Sequence, residues 1–120
     1  MYLTTIEIKR EGDKPCKEQY LVEAVNLTDV EVKIHRDFIG VQDIEVIACK
    51  KIHFIEIFEN GEGTFYEIKN EIETLDNKKV VETYLLEATD DNSAIVRWDN
   101  LNMEGHIVGF NKKPYMGIIR

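Results

Sequence analysis

The sequence predicts an α+β fold of two pseudo-repeated ββαβ units packing as one domain, mostly antiparallel sheet with two helices. Three observations carry this. The words YLVEA (Tyr20 to Ala24) and YLLEA (Tyr84 to Ala88) stand 64 residues apart, a period-two pattern precedes each, and a helical spacing follows each. At the same offset Tyr2, Glu7, Ile8 and Glu18 match Tyr66, Glu71, Ile72 and Glu82. Farther on, an offset of 62 aligns Val46 with Val108, Lys50-Lys51 with Lys112-Lys113 and Ile57 with Ile119, so the second copy is expected to be two residues shorter. The single domain, 1–120, then contains repeat 1 at about 1–58, a linker at 59–63 and repeat 2 at about 64–120.

The first strand of each copy follows from alternation: Tyr2, Ile6 and Ile8 share one face, as do Tyr66, Ile68 and Ile72. Turn-rich stretches, EGDKP and LDNKK, end these strands, and a second strand runs through Tyr20, Val22 and Ala24 or Tyr84, Leu86 and Ala88. Asn26 and Asp90 then occupy equivalent helix N-cap positions, because a short side-chain oxygen accepts from an unpaired first-turn amide. The first helix has the stripe Leu27, Val30, Ile34, Phe38 with Gly40 as its stop; the second has Ala94, Ile95, Trp98, Leu101 with Gly105 as its stop. Third strands follow, DIEVIACKK and HIVGFNKK, and apolar tails, IHFIEIF and PYMGII, close the copies as either bent continuations or helical turns. The linker ENGEG has two glycines beside an asparagine, which make easy turns and poor strands. A three-stranded sheet under one helix is marginal alone, so the duplication is expected to serve stability through a shared core.

Length and charge narrow the function. At 120 residues the chain can bury roughly two-thirds of the surface it exposes unfolded. Its formal charge of −8, with basic residues scattered, sets a nucleic-acid partner against the overall field. Cys16 and Cys49 have no CxxC spacing and read as free thiols of a reducing compartment. The alternating start MYLTTIEIKR does not resemble a signal peptide, and no apolar run reaches membrane-spanning length. A cytoplasmic setting, host cytoplasm or virion, is expected, with no membrane partner.

Catalytic constellations are hard to find in the sequence. His35, His53 and His106 fall on different elements; His53 and Glu56 could ligate a metal together only if the tail were helical and a third ligand came from elsewhere. HRDFIG merges kinase-loop letters that a kinase keeps on separate loops. NGEGTF lacks the lysine and spacing of a phosphate loop, and no nucleophile elbow occurs. No enzyme, cofactor or metal is expected. Glu23 and Glu87 sit inside otherwise apolar words and either point outward from the pleat or make symmetry-related contacts to a partner. Tyr2, Tyr20, Tyr66 and Tyr84 share faces with core residues, which sets burial against a base-stacking platform. Lys50, Lys51, Lys112 and Lys113 form a candidate basic patch around a pseudo-twofold axis.

Outward strand faces carry more apolar residues than a solvated sheet needs: Leu3, Leu21, Val25, Phe65, Ile47, Val81 and Leu85. Leu3, Leu21, Glu23, Leu85 and Glu87 are therefore the candidate partner surface, covered by the other repeat or by another chain.

The order of a tyrosine-led strand, a charged turn, YLVEA or YLLEA, a capped helix, EVIACKKIHFIEIF and then FYEIKNEIETLDNKKVVETYLLEA resembles a family of short, internally duplicated proteins of unknown function from Bacteroides-group bacteria and their phages. The resemblance spans nearly the whole chain, departing at the short second helix and at the tail from Pro114 onward. It implies a phage or mobile-element setting and transfers no site residue. The resulting expectation is a non-enzymatic protein-interaction module, a phage-encoded accessory or virion and assembly component that forms a homo-oligomer or larger assembly. The alternative is a nucleic-acid-binding or anti-defence regulator using the paired lysines.

Overall fold

The computed structural model describes residues 1–41 and 43–120. Its order is β1 (Tyr2–Lys9), β2 (Cys16–Val22), α1 (Leu27–Asp37), β3 (Asp43–Lys51), β4 (Ile57–Phe58), β5 (Thr64–Glu73), β6 (Lys79–Ala88), α2 (Asp91–Asn100), β7 (His106–Lys113) and β8 (Tyr115–Ile119). The fold is α+β, with two four-stranded mixed sheets ordered β3-β1-β2-β8 and β4-β6-β5-β7.

Local chemistry sets the helices. The Asn26 side chain accepts from the Asp29 amide at 2.8 Å and the Asp90 side chain from the Ser93 amide at 2.8 Å. Only part of each expected stripe is buried: Val30 and Ile34 in α1, Ala94 and Trp98 in α2. Leu27, Ile95 and Leu101 are exposed, because two positions one turn apart suffice to seat so short a helix. Replacing Asn26 by alanine is expected to cost about 1 kcal/mol, read from chemical denaturation, since one first-turn amide loses its acceptor. Gly105 does not end α2. The helix stops at Asn100, Asn102 has φ 52°, and Gly105 (φ 93°) instead opens the approach to β7.

Each central strand is paired on both sides. β1 runs antiparallel to β2 and β3, and β5 antiparallel to β6 and β7. The β1/β3 ladder shifts register between Thr5 and Ile6 and the β5/β7 ladder between Lys69 and Asn70, places 64 residues apart.

The tails are neither bent continuations nor helical turns. β4 leaves the sheet of β3 and pairs parallel with β6, while β8 leaves the sheet of β7 and pairs parallel with β2. The compact units are accordingly Met1–Ile52 with Tyr115–Arg120, and His53–Pro114. Residues 53–58, expected in the first repeat, belong to the second unit, and 115–120 to the first. A parallel partner cannot arrive through a tight hairpin, and here the third strand of the opposite unit delivers it.

Ladder partners in the two units can be compared by number. Tyr2 lies opposite Lys51 and Tyr66 opposite Lys112; Leu21 lies opposite Ile118 and Leu85 opposite Ile57. Where first and second strands are compared at an offset of 64, their ladder partners in the third strands and tails lie 61 apart. Phe54 and Tyr115, both buried, are likewise 61 apart.

Tyr2, Ile6, Ile8, Val22, Val30, Ile34 and Ile119 form the first unit's core, so β8 contributes to it directly. The second unit's core is Tyr66, Ile68, Tyr84, Leu86, Ala88, Ala94 and Trp98, with Phe58 of β4 packed against it.

Candidate interaction surface

The expected partner surface is not one open face. Leu21 and Leu85 are fully buried, Phe65 nearly so, and Leu3 half-buried. Glu23 is exposed and its carboxylate lies 3.3 Å from Arg120 Nε. Glu87 is 6% exposed and does not point outward into water. Its Oε1 accepts from the amides of Asn60 (3.0 Å) and Gly61 (2.9 Å), and its Oε2 from that of Gly63 (2.6 Å).

Topology explains this clasp. β6 lies between β4 and β5, so residues 59–63 must pass over the C-terminal end of β6, where their amides have no neighbouring strand. Gly61 and Gly63, at φ 81° and 89°, supply the turn. The Thr89 hydroxyl also donates to Glu62. Burial pushes the Glu87 carboxyl up, but the amides of Gly61, Gly63 and Asn60 outweigh it, and its pKa falls below the ordinary value. The sequence signal was the conjunction of a glutamate in an apolar word with a glycine-rich linker; either feature alone reads as a surface.

The tyrosines are part of the cores. Tyr2, Tyr66 and Tyr84 are buried and Tyr20 is half-buried. Tyr20 Oη donates to Glu18 Oε1 at 2.9 Å and Tyr84 Oη to Glu82 Oε1 at 3.4 Å. Tyr20 sits edge-on to Phe38 and Tyr84 edge-on to Trp98. Burial, reinforced by Glu18, pushes the Tyr20 hydroxyl up to about 12. Burial of Tyr2, Tyr66 and Tyr84 leaves those rings unavailable for stacking on a base.

Lys50 and Lys51 close β3 in the first unit, whereas Lys112 and Lys113 close β7 in the second. Lys50, Lys51 and Lys112 are exposed and Lys113 is half-buried. Lys51 pairs with Tyr2 and Lys50 with Leu3, whereas Lys112 pairs with Tyr66 and Lys113 with Phe65. Successive strand residues face opposite sides, so each doublet presents one ammonium to each face of its sheet.

His106 Nε2 lies 3.7 Å from Glu71 Oε1, and His35 Nε2 3.5 Å from Glu31 Oε2. The tail bearing His53 and Glu56 is not helical, so their expected ligand spacing is not realised. Among the described residues no three His, Cys, Asp or Glu side chains form a metal-binding group, and no helix is long and apolar enough to cross a membrane. Cys16 and Cys49 are free thiols.

Alternation flagged Ile47 but not Ile107 or Val108, and it could not show that all three lie on edge strands. β3 and β7, nine and eight residues long, are outermost in their sheets and expose Ile47 (41%) and Ile107 and Val108 (37% and 49%). Their outer hydrogen-bonding groups lack a neighbouring strand within the sheet.

The family described as a domain of unknown function, DUF4494, matches residues 2–118. The chain belongs to the DUF4494 family. No curated protein and no solved structure matches it. The DUF4494 match begins in β1 and reaches into β8, so it covers β1 to β7 and all but the last residue of β8.

Proposed function

We propose that this DUF4494 protein is a non-catalytic protein-interaction module that joins partner strands, from further copies or other proteins, along β3 and β7. One observation carries the reading: two long sheet edges that expose apolar side chains and whose outer backbone groups face no further strand of their own sheet, the usual template for strand addition. The resemblance to the Bacteroides-group family adds the setting, a phage-encoded accessory or virion and assembly component in host cytoplasm or virion. The matched bulges and strand orders support an ancestral duplication. Light scattering across a concentration series tests self-association: we expect it to rise with concentration and to weaken at least tenfold in the Ile107→Lys/Val108→Lys double variant, because edge charges oppose pairing. A strict monomer throughout removes the homo-oligomer.

The exposure of Lys50, Lys51 and Lys112 favours nucleic-acid binding, with Lys113, as a second reading. If the four ammonium groups contact phosphates, affinity in a gel shift falls roughly a hundredfold between 50 and 200 mM salt. A salt-independent shift, or none with single- or double-stranded DNA, removes this reading.

A further inference from the structure

We propose that the place beside β2, filled here by β8 of the same chain, is also the joint through which two copies associate, each inserting its Tyr115–Ile119 strand into the first unit of the other. This goes beyond the edge contacts proposed above and rests on the self-association part of that reading.

The pairing of β8 is directed away from the strand that delivers it. β7 ends at Lys113 in the second unit and β8 begins at Tyr115 in the first, leaving Pro114 as the whole connection. All the ladder partners of β8, Gln19, Leu21 and Val22, lie in β2. Tyr115 and Ile119 are buried, and Ile119 joins a core otherwise made of residues 2–34. The strand's end is fixed there as well: the Glu23 amide donates to the Ile119 carbonyl at 2.8 Å and Arg36 Nη2 to the Arg120 carbonyl at 2.7 Å.

None of these contacts requires that strand and acceptor belong to one molecule. A second copy supplies the same residues in the same register, so exchange alters the hinge conformation and the entropy of association and leaves the packing as it is. Pro114 suits the hinge: it has no amide to leave unpaired, and its fixed φ limits the ways in which so short a connection can fold back. The counterpart β4 is less free to exchange, because the Glu87 carboxylate holds the chain that follows it.

The test places cysteines at the register partners Leu21 and Ile118 in one full-length chain, with Cys16→Ser and Cys49→Ser, and oxidises the dimer isolated by gel filtration. Exchange predicts an interchain disulfide, seen on a non-reducing gel as a band near twice the 14.0 kDa chain. A dimer that yields only intrachain disulfide overturns the exchange while leaving self-association through another surface standing. A monomer at every concentration overturns both. A second variant keeps the native cysteines and inserts four Gly/Ser residues after Pro114. The slack lets β8 close on its own chain, so the dimer fraction is expected to fall at least fivefold with Trp98 fluorescence unchanged; an unaltered dimer fraction counts against exchange.

Discussion

Replacing Gly105 by alanine is expected to destabilise the second unit by about 2–5 kcal/mol. Gly105 has φ 93°, where a Cβ costs about 1–2 kcal/mol. That Cβ would also collide with the Glu71 carbonyl oxygen and come within 2.9 Å of Ile72 Cγ2. Backbone of β5 cannot yield as a flexible side chain would, so a further 1–3 kcal/mol of overpacking is added, roughly. The Asn70 side chain tightens the same corner by donating to the Glu104 carbonyl at 2.6 Å. Trp98, the one tryptophan, lies in the second unit's core, so its fluorescence during chemical denaturation follows the affected unit. Gly12→Ala is the control: its φ is 80° but its Cβ would meet open space, so the conformational cost alone remains, read by circular dichroism. Equal losses in the two variants would show that the approach of residue 105 to β5 is not close.

Removing the Glu87 carboxylate should come next in size. Glu87→Ala leaves the amides of Asn60, Gly61 and Gly63 without their acceptor, a loss of about 2–4 kcal/mol given that water can reach part of the loop. Glu87→Gln keeps one acceptor oxygen and should lose about half as much. The pH dependence follows from the sign of the shift. The folded carboxyl titrates below its unfolded value, so its contribution is complete above the ordinary glutamate pKa of about 4.3 and disappears as the pH falls through the folded pKa. Glu18 is also held low, chiefly by its hydrogen bonds from Arg10, and adds to the acid loss in the same direction. Comparing wild type with Glu87→Gln removes that shared part. Denaturation midpoints between pH 7 and 3 should converge as the acid limit is approached; a constant gap would mean that Glu87 does not titrate as a clasp.

The edge and lysine experiments bear on function, whereas these two bear on the architecture that presents it. The distinction matters because the candidate surface shifted between sequence and structure. Leu21 and Leu85 alternate correctly for the face away from the helices, and alternation was all the sequence could report. It does not say whether an outward face is covered, so apolar residues there were read as surface. Glu87 was misplaced for a related reason: its parity along β6 is outward, but the passage of residues 59–63 over the strand end is a property of sheet order. Gly105 looked like a helix stop because it follows a helical stretch at a plausible distance, and its actual constraint, the backbone of β5, is more than thirty positions away in sequence.

By itself the sequence determined what depends on neighbours a few residues apart. Alternation marks the long strands, Asn26 and Asp90 start the helices, glycines and asparagines set the turns, and the third strands carry the boundaries that DIEVIACKK and HIVGFNKK suggest. Tertiary structure alone decided where β4 and β8 go. Backbone amides and carbonyls are alike on every strand, so two- and five-residue segments do not name their partners. Their choice is made by packing of half-buried Phe58 and burial of Ile119 against cores assembled from distant parts of the chain, and that choice in turn leaves β3 and β7 as edges and closes Glu87 beneath a loop.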